Sequence, residues 1–138
     1  MTEFDLINYL TEYIENKEGT KICIDALTRY RRRLETFPPY IAKEYIKDID
    51  KRIRTEEDEL RKQEDIIKAW SELITNENAR NIFVDHYIKG IDWLTIEDVY
   101  HYATSTVFNY RKRALTEITQ KAVQDIPNAS VITATSIL

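Results

Sequence analysis

Apolar residues recur every three or four positions along most of the chain, the spacing that collects them on one face of an α-helix. Phe4, Ile7, Leu10 and Ile14 predict a first helix, capped by Thr2 and closed by residues 16–19. A second helix, capped by Thr20, turns Cys23, Ala26, Leu27, Tyr30, Leu34 and Phe37 inward and stops at Pro38 and Pro39. These two form an antiparallel hairpin that needs a third partner. The longest predicted element supplies it, over about residues 40–74, where Ile46, Ile49, Ile53, Leu60, Ile67, Trp70 and Ile74 alternate three- and four-residue steps. A seam of period 3.5 is a coiled-coil pattern, here interrupted by Glu56 and Gln63. At about 1.5 Å per residue this helix is roughly 50 Å long. Its middle, residues 52–63, is therefore expected to project or to pair with a second subunit, with Ile46, Ile49, Ile53 and Leu60 as the oligomerisation seam. An intramolecular bundle with a solvated middle is the alternative.

Residues 75–78 break the pattern, and a helix over about 78–89 leads into the most informative stretch, residues 87–118. Ile96, Val99 and Tyr100 share one face of a helix that starts near Trp93. After four polar or small residues, Val107, Tyr110, Ala114, Leu115 and Ile118 mark the inward face of another helix. Its opposite face carries Thr104, Ser105, Asn109, Arg111, Lys112 and Arg113, with Thr106 in the same first turn. Short donors at a helix start and guanidinium groups further along suit a reader of the DNA major groove. The fold expected is all-α: an N-terminal helical hairpin plus a long coiled-coil-like helix, then a C-terminal three-helix helix-turn-helix unit. The corresponding division is residues 1–75 as helical bundle and oligomerisation region, 76–123 as DNA-binding unit and 124–138 as tail.

Over residues 82–120 the chain resembles the sigma-factor region-four-like helix-turn-helix of phage transcription regulators of the ArpU and RinA type. The residues that carry the resemblance are Tyr87 and Gly90 at the close of the leading helix, Trp93 three positions before Ile96, and Ala103 followed by Val107. Arg113, Ala114 and Leu115 match the closing pattern. The sequence departs from the family at Glu97, where Ala or Gly is usual, at His101 in place of a turn glycine, and at Ala103 in place of a hydroxyl N-cap. The resemblance implies a regulator of late or packaging genes. Double-stranded DNA would be its ligand, a homo-oligomer (a dimer before larger assemblies) its form, and RNA polymerase or another phage protein its further partner.

Composition adjusts this picture in a few places. Two Gly and three Pro leave few tight turns, in keeping with helices. A single cysteine, Cys23, excludes an internal disulfide framework and a Cys-rich zinc site. The first residues lack the layout of a signal peptide and no apolar run approaches membrane length, so the expected location is the cytoplasm, away from membranes. The net charge of −4 opposes nucleic-acid binding, but the local field matters more than the sum. Residues 104–123 hold Arg111, Lys112, Arg113 and Lys121 against Glu117, a local +3. Arg29, Arg31, Arg32 and Arg33 form a denser cluster, read as pairing on the surface with the acids 56–59, with a phosphate-backbone contact as the alternative.

Nothing in the sequence suggests catalysis. His86 and His101 have no Cys or carboxylate at ligand spacing, and the acidic run 56–59 lacks the alternation of a calcium loop. There is no phosphate-cradling glycine loop and no nucleophile constellation, so no enzyme activity, cofactor or metal is expected. Two other functions fit the same pattern: a small terminase subunit or similar packaging adaptor, and a protein–protein interaction module that does not bind DNA.

Overall fold

The computed structural model describes residues 1–122; the tail 124–138, with its Asn128-Ala-Ser130 acceptor sequence, lies outside the described residues. The chain is all-α, with five helices and a π-helical turn among the described residues. They are α1 (Glu3–Leu34), α2 (Pro39–Ser71), α3 (Glu77–Phe83), the π turn Val84–Ile88, α4 (Trp93–Tyr100) and α5 (Thr104–Lys121). Two compact units divide the described residues, Glu15–Lys62 and a second made of Met1–Ile14 with the residues from Gln63 to 122.

The largest departure from expectation is α1. Residues 16–19 do not end a helix; one helix of 32 residues runs through them. Gly19 is exposed and costs such a helix roughly 0.5–1 kcal/mol relative to alanine, too little to break it when packing holds both sides. Thr2 caps as expected. Its hydroxyl accepts from the Asp5 backbone N–H (3.1 Å) while the Asp5 carboxylate accepts from the Thr2 N–H (3.1 Å), a reciprocal capping box that holds Asp5 below the usual carboxylate range.

Within the unit that holds Met1–Ile14, α1 turns inward a face other than the expected one. Leu6, Tyr9, Leu10 and Tyr13 are buried, whereas Phe4 is 70% exposed and Ile7 and Ile14 only half-buried. Tyr9 meets Trp70 of α2 edge to face, with ring centroids 5.2 Å apart. Ile67, Trp70 and Ile74 are buried as the seam requires. The N-cap of α3 is Asn76, whose side chain accepts from the Ala79 N–H. The helix expected over 78–89 becomes α at first and then a π turn, where the Lys89 N–H reaches back five residues to the Val84 carbonyl (3.0 Å). Ile82, Ile96 and Val107 form a core linking α3, α4 and α5, with Ile91, Trp93, Tyr100, Tyr102 and Tyr110 packed against it. Val99, expected to share the inward face with Ile96, is 65% exposed.

In Glu15–Lys62, the second half of α1 and the first half of α2 form an antiparallel hairpin. Leu34, Ala42 and Ile49 are its buried core, with Leu27, Ile46 and Ile53 packed on it. The seam assigned to oligomerisation, Ile46, Ile49 and Ile53, is thus occupied by the chain's own α1, and Leu60 is half-buried. Tyr30, expected inward, is exposed. The arginine cluster also pairs differently. Arg31 Nε donates to Asp50 (2.8 Å) and the guanidinium also contacts Glu35, because residues near the bend face Asp50 and not the acids 56–59 higher up α2.

Candidate nucleic-acid interface

The start of α5 is set by the connection that precedes it. Asp92 caps α4, accepting from the Thr95 N–H (2.7 Å), and this bond holds its carboxyl below the usual range. His101 ends α4 in the left-handed region with φ 57°, and the N–H of Tyr102 returns to the Glu97 carbonyl (3.0 Å). The residue standing where the resemblance has a glycine therefore does adopt the glycine conformation. Ala103 is the N-cap of α5 and offers no side-chain bond; neither Thr104 nor Ser105 takes over that role.

Of the expected contact residues, Thr104, Ser105, Asn109, Lys112 and Arg113 are exposed, and Thr106 and Arg111 are half-buried. Ser105, Asn109 and Lys112 stand at i, i+4 and i+7, one line along the helix. Among the described residues no hydrogen bond or ion pair engages these three side chains. Arg113 lies 3.6 Å from Glu117, and Lys121 lies 3.2 Å from the same carboxylate. Glu117 also accepts from the backbone N–H (2.7 Å) and hydroxyl (3.0 Å) of Thr75, the larger cause of its lowered pKa. Two of the four cations of this segment are thus partly neutralised from within.

Arg111 has a different task from the free cation expected. Its Nε donates to the Tyr87 hydroxyl (3.0 Å), and its guanidinium carbon sits 5.4 Å from the centre of the Trp93 ring. Such a cation–π contact contributes about 0.5–1 kcal/mol at an exposed site. The same group joins a stack around the π turn: His86 lies on Trp93 with centroids 3.7 Å apart and meets Tyr87 edge to face. Nδ1 of His86 lies 2.8 Å from the Ile91 carbonyl, which accepts if that nitrogen carries the proton. Burial, with Arg111 nearby, pushes the imidazole below its ordinary 6.5. The Asp85 carboxylate, buried in the same turn, accepts from the Tyr100 hydroxyl and pushes that phenol up to about 12. The aromatics on either side of Gly90 are the signal of this cluster in the sequence; the engagement of Arg111 with Tyr87 and Trp93 is what the sequence does not reveal.

Apolar side chains also reach solvent here. Leu94 and Val99 on α4 and Phe108 on α5 are exposed. Phe108, Arg111, Lys112 and Leu115 line an open cleft of about 180 Å³ together with Glu3 and Ile7 of α1. No group of three or more His, Cys, Asp or Glu side chains among the described residues is arranged to hold a metal, and none of their helices is long and apolar enough to cross a membrane. Comparison of the chain with family models, with curated proteins and with solved structures gives no match.

Proposed function

We propose that the chain is a sequence-specific DNA-binding transcription regulator of phage or prophage type, with α5 as the helix that enters the major groove. The observation that carries this reading is the unengaged polar line Ser105–Asn109–Lys112 on a helix whose N-terminus has no side-chain cap. Short donors near a helix start reach base edges or phosphates, the positive end of the helix dipole favours the phosphate backbone, and a lysine two turns on adds attraction. Arg113 supplements Lys112, while Arg111 holds α5 to the π turn and Trp93. The phage connection rests on the resemblance of residues 82–120. RNA polymerase or another phage protein is the further partner it suggests, and no catalytic step belongs to the reading.

A second reading, a protein–protein interaction module, draws support from the exposed Leu94, Val99 and Phe108, which a phosphate backbone does not require. Binding to duplex fragments from the protein's own genomic neighbourhood, titrated with salt, separates the two. The regulator predicts tight binding to one fragment, with Lys112→Ala flattening the plot of log K against log salt by about one unit. Weak, fragment-independent binding with an unchanged slope moves the assignment to the interaction module. A packaging adaptor of the small-terminase kind is distinguished by a ring of many subunits.

A further inference from the structure

Both helices of the hairpin Glu15–Lys62 carry unpaired cations, and one flank gathers them. The Arg31–Asp50 bond (2.8 Å) bridges α1 and α2 on that flank, and the Arg31 guanidinium also takes up the Glu35 carboxylate. Steps of about 100° per residue place the neighbours. Lys43 and Lys47, seven and three residues before Asp50, share its side of α2, and Arg32 follows Arg31 outward on the same side of α1. The core of Leu34, Ala42 and Ile49 brings these residues level near the bend. Arg32, Lys43 and Lys47 are exposed, and among the described residues no ion pair or hydrogen bond engages their side chains.

The acids do not cancel them. Glu35 and Asp50 are taken up by Arg31, and Glu44 and Asp48 turn about 120° or more away from Asp50 around α2. Asp25 and Glu57, the next acids on this flank, lie about 10 Å or more further from the bend, with Lys21 one turn from the first and Arg54 one turn from the second. Residues 29–48 hold six Lys and Arg against three Asp and Glu, in a chain whose net charge is −4. The positive field is local, and it is local fields that draw polyanions.

The rest of the flank selects among polyanions. A protein interface has a buried apolar centre, and a bilayer surface takes up apolar side chains as well as charge. Here the exposed Ile22, Tyr30, Ile41 and Tyr45 turn to the other side of the hairpin, and Phe37 lies in the bend. Unpaired strands need aromatic platforms for their bases, whereas only Tyr40, a residue whose hydroxyl can donate to phosphate, borders the flank. Cations without a stacking or apolar surface suit the outside of a duplex, where phosphates form a row of charge.

We propose that Arg32, Lys43 and Lys47 form a second contact with duplex DNA, one that grips the phosphate backbone without reading sequence. It draws on nothing in α5. The groove contact depends on sequence and this one does not, so each can fail alone.

Fluorescence anisotropy of a short labelled duplex of arbitrary sequence, titrated with the full chain over a range of salt concentrations, tests it. Lys43→Ala with Lys47→Ala is expected to lower the slope of log K against log salt by about two, and Arg32→Ala by about one more. Helicity by circular dichroism should stay unchanged, because alanine is favourable in a helix. The same loss is expected in a Lys112→Ala background, and Tyr45→Ala on the opposite flank should leave the slope of the wild type. No binding to the duplex at low salt, a slope indifferent to the three substitutions, tighter binding to a single strand of the same length, or binding to phosphatidylserine vesicles in place of the duplex each overturns the proposal. A genomic fragment bound through α5 with a slope that these substitutions leave unchanged would keep the groove reading and remove this one.

Discussion

His101 closes α4 with a positive φ of 57°, a conformation that costs an L-residue roughly 1–2 kcal/mol and costs glycine almost nothing. His101→Gly is therefore expected to raise the free energy of unfolding by about 1 kcal/mol, less what glycine loses through the more flexible unfolded chain. Urea denaturation of the two proteins checks this, and a loss of stability would mean that the exposed imidazole contributes a contact at the turn. His86 makes the opposite kind of statement. Its proton affinity is lowered on folding, so above 6.5, where both states are neutral, its environment carries no penalty. As pH falls below 6.5 the unfolded chain binds the proton first, and stability declines until the lower folded value is passed. Wild type should lose more stability than His86→Gln between pH 7 and pH 5.5, a window above the range of the carboxylates whose pKa values are lowered.

At the scale of elements, α1 is where sequence and structure part most clearly. Asn16 and Gly19 read as a stop because both are poor helix formers, and Thr20 reads as a fresh cap. The deciding interactions are remote in sequence: Tyr9 against Trp70 on one side of Gly19, and Leu27 and Leu34 against Ala42 and Ile49 on the other. Local propensity carries no information about them. A Cβ built on Gly19 meets nothing within 4 Å, so Gly19→Ala should stabilise the fold by roughly 0.5–1 kcal/mol, read as a higher denaturation midpoint. A neutral or destabilising result would place a break in the helix after all. The end of α1 near Pro38, nearly the whole of α2 and the limits of α5 were legible, because proline and a sustained 3.5-residue seam are local signals. The π turn was not, since nothing in residues 84–88 distinguishes a five-residue return from a four-residue one.

For the molecule as a whole, the all-α class follows from periodicity, yet which apolar residues are spent inside the chain does not. Ile46, Ile49 and Ile53 looked available to a second subunit, but Leu27 and Leu34 of α1 pack on them, as in the intramolecular alternative. The candidate site divides in the same way. The exposure of Thr104, Ser105, Asn109 and Lys112 could be read from the helical phase of Val107, Ala114 and Leu115, but the engagement of Arg111 with Tyr87 required the third helix to be in place.

Glu117 adds a last consequence. It is shared by Thr75, Arg113 and Lys121, so either cation can leave it while the Thr75 amide and hydroxyl still solvate the carboxylate. A polyanion approaching α5 can thus borrow both charges without stranding a bare carboxylate beneath them. Because each borrowed cation exchanges one anionic partner for another, the loan releases little bound salt. A count of contacts taken from ionic-strength dependence would therefore fall short of the number of basic side chains that have moved.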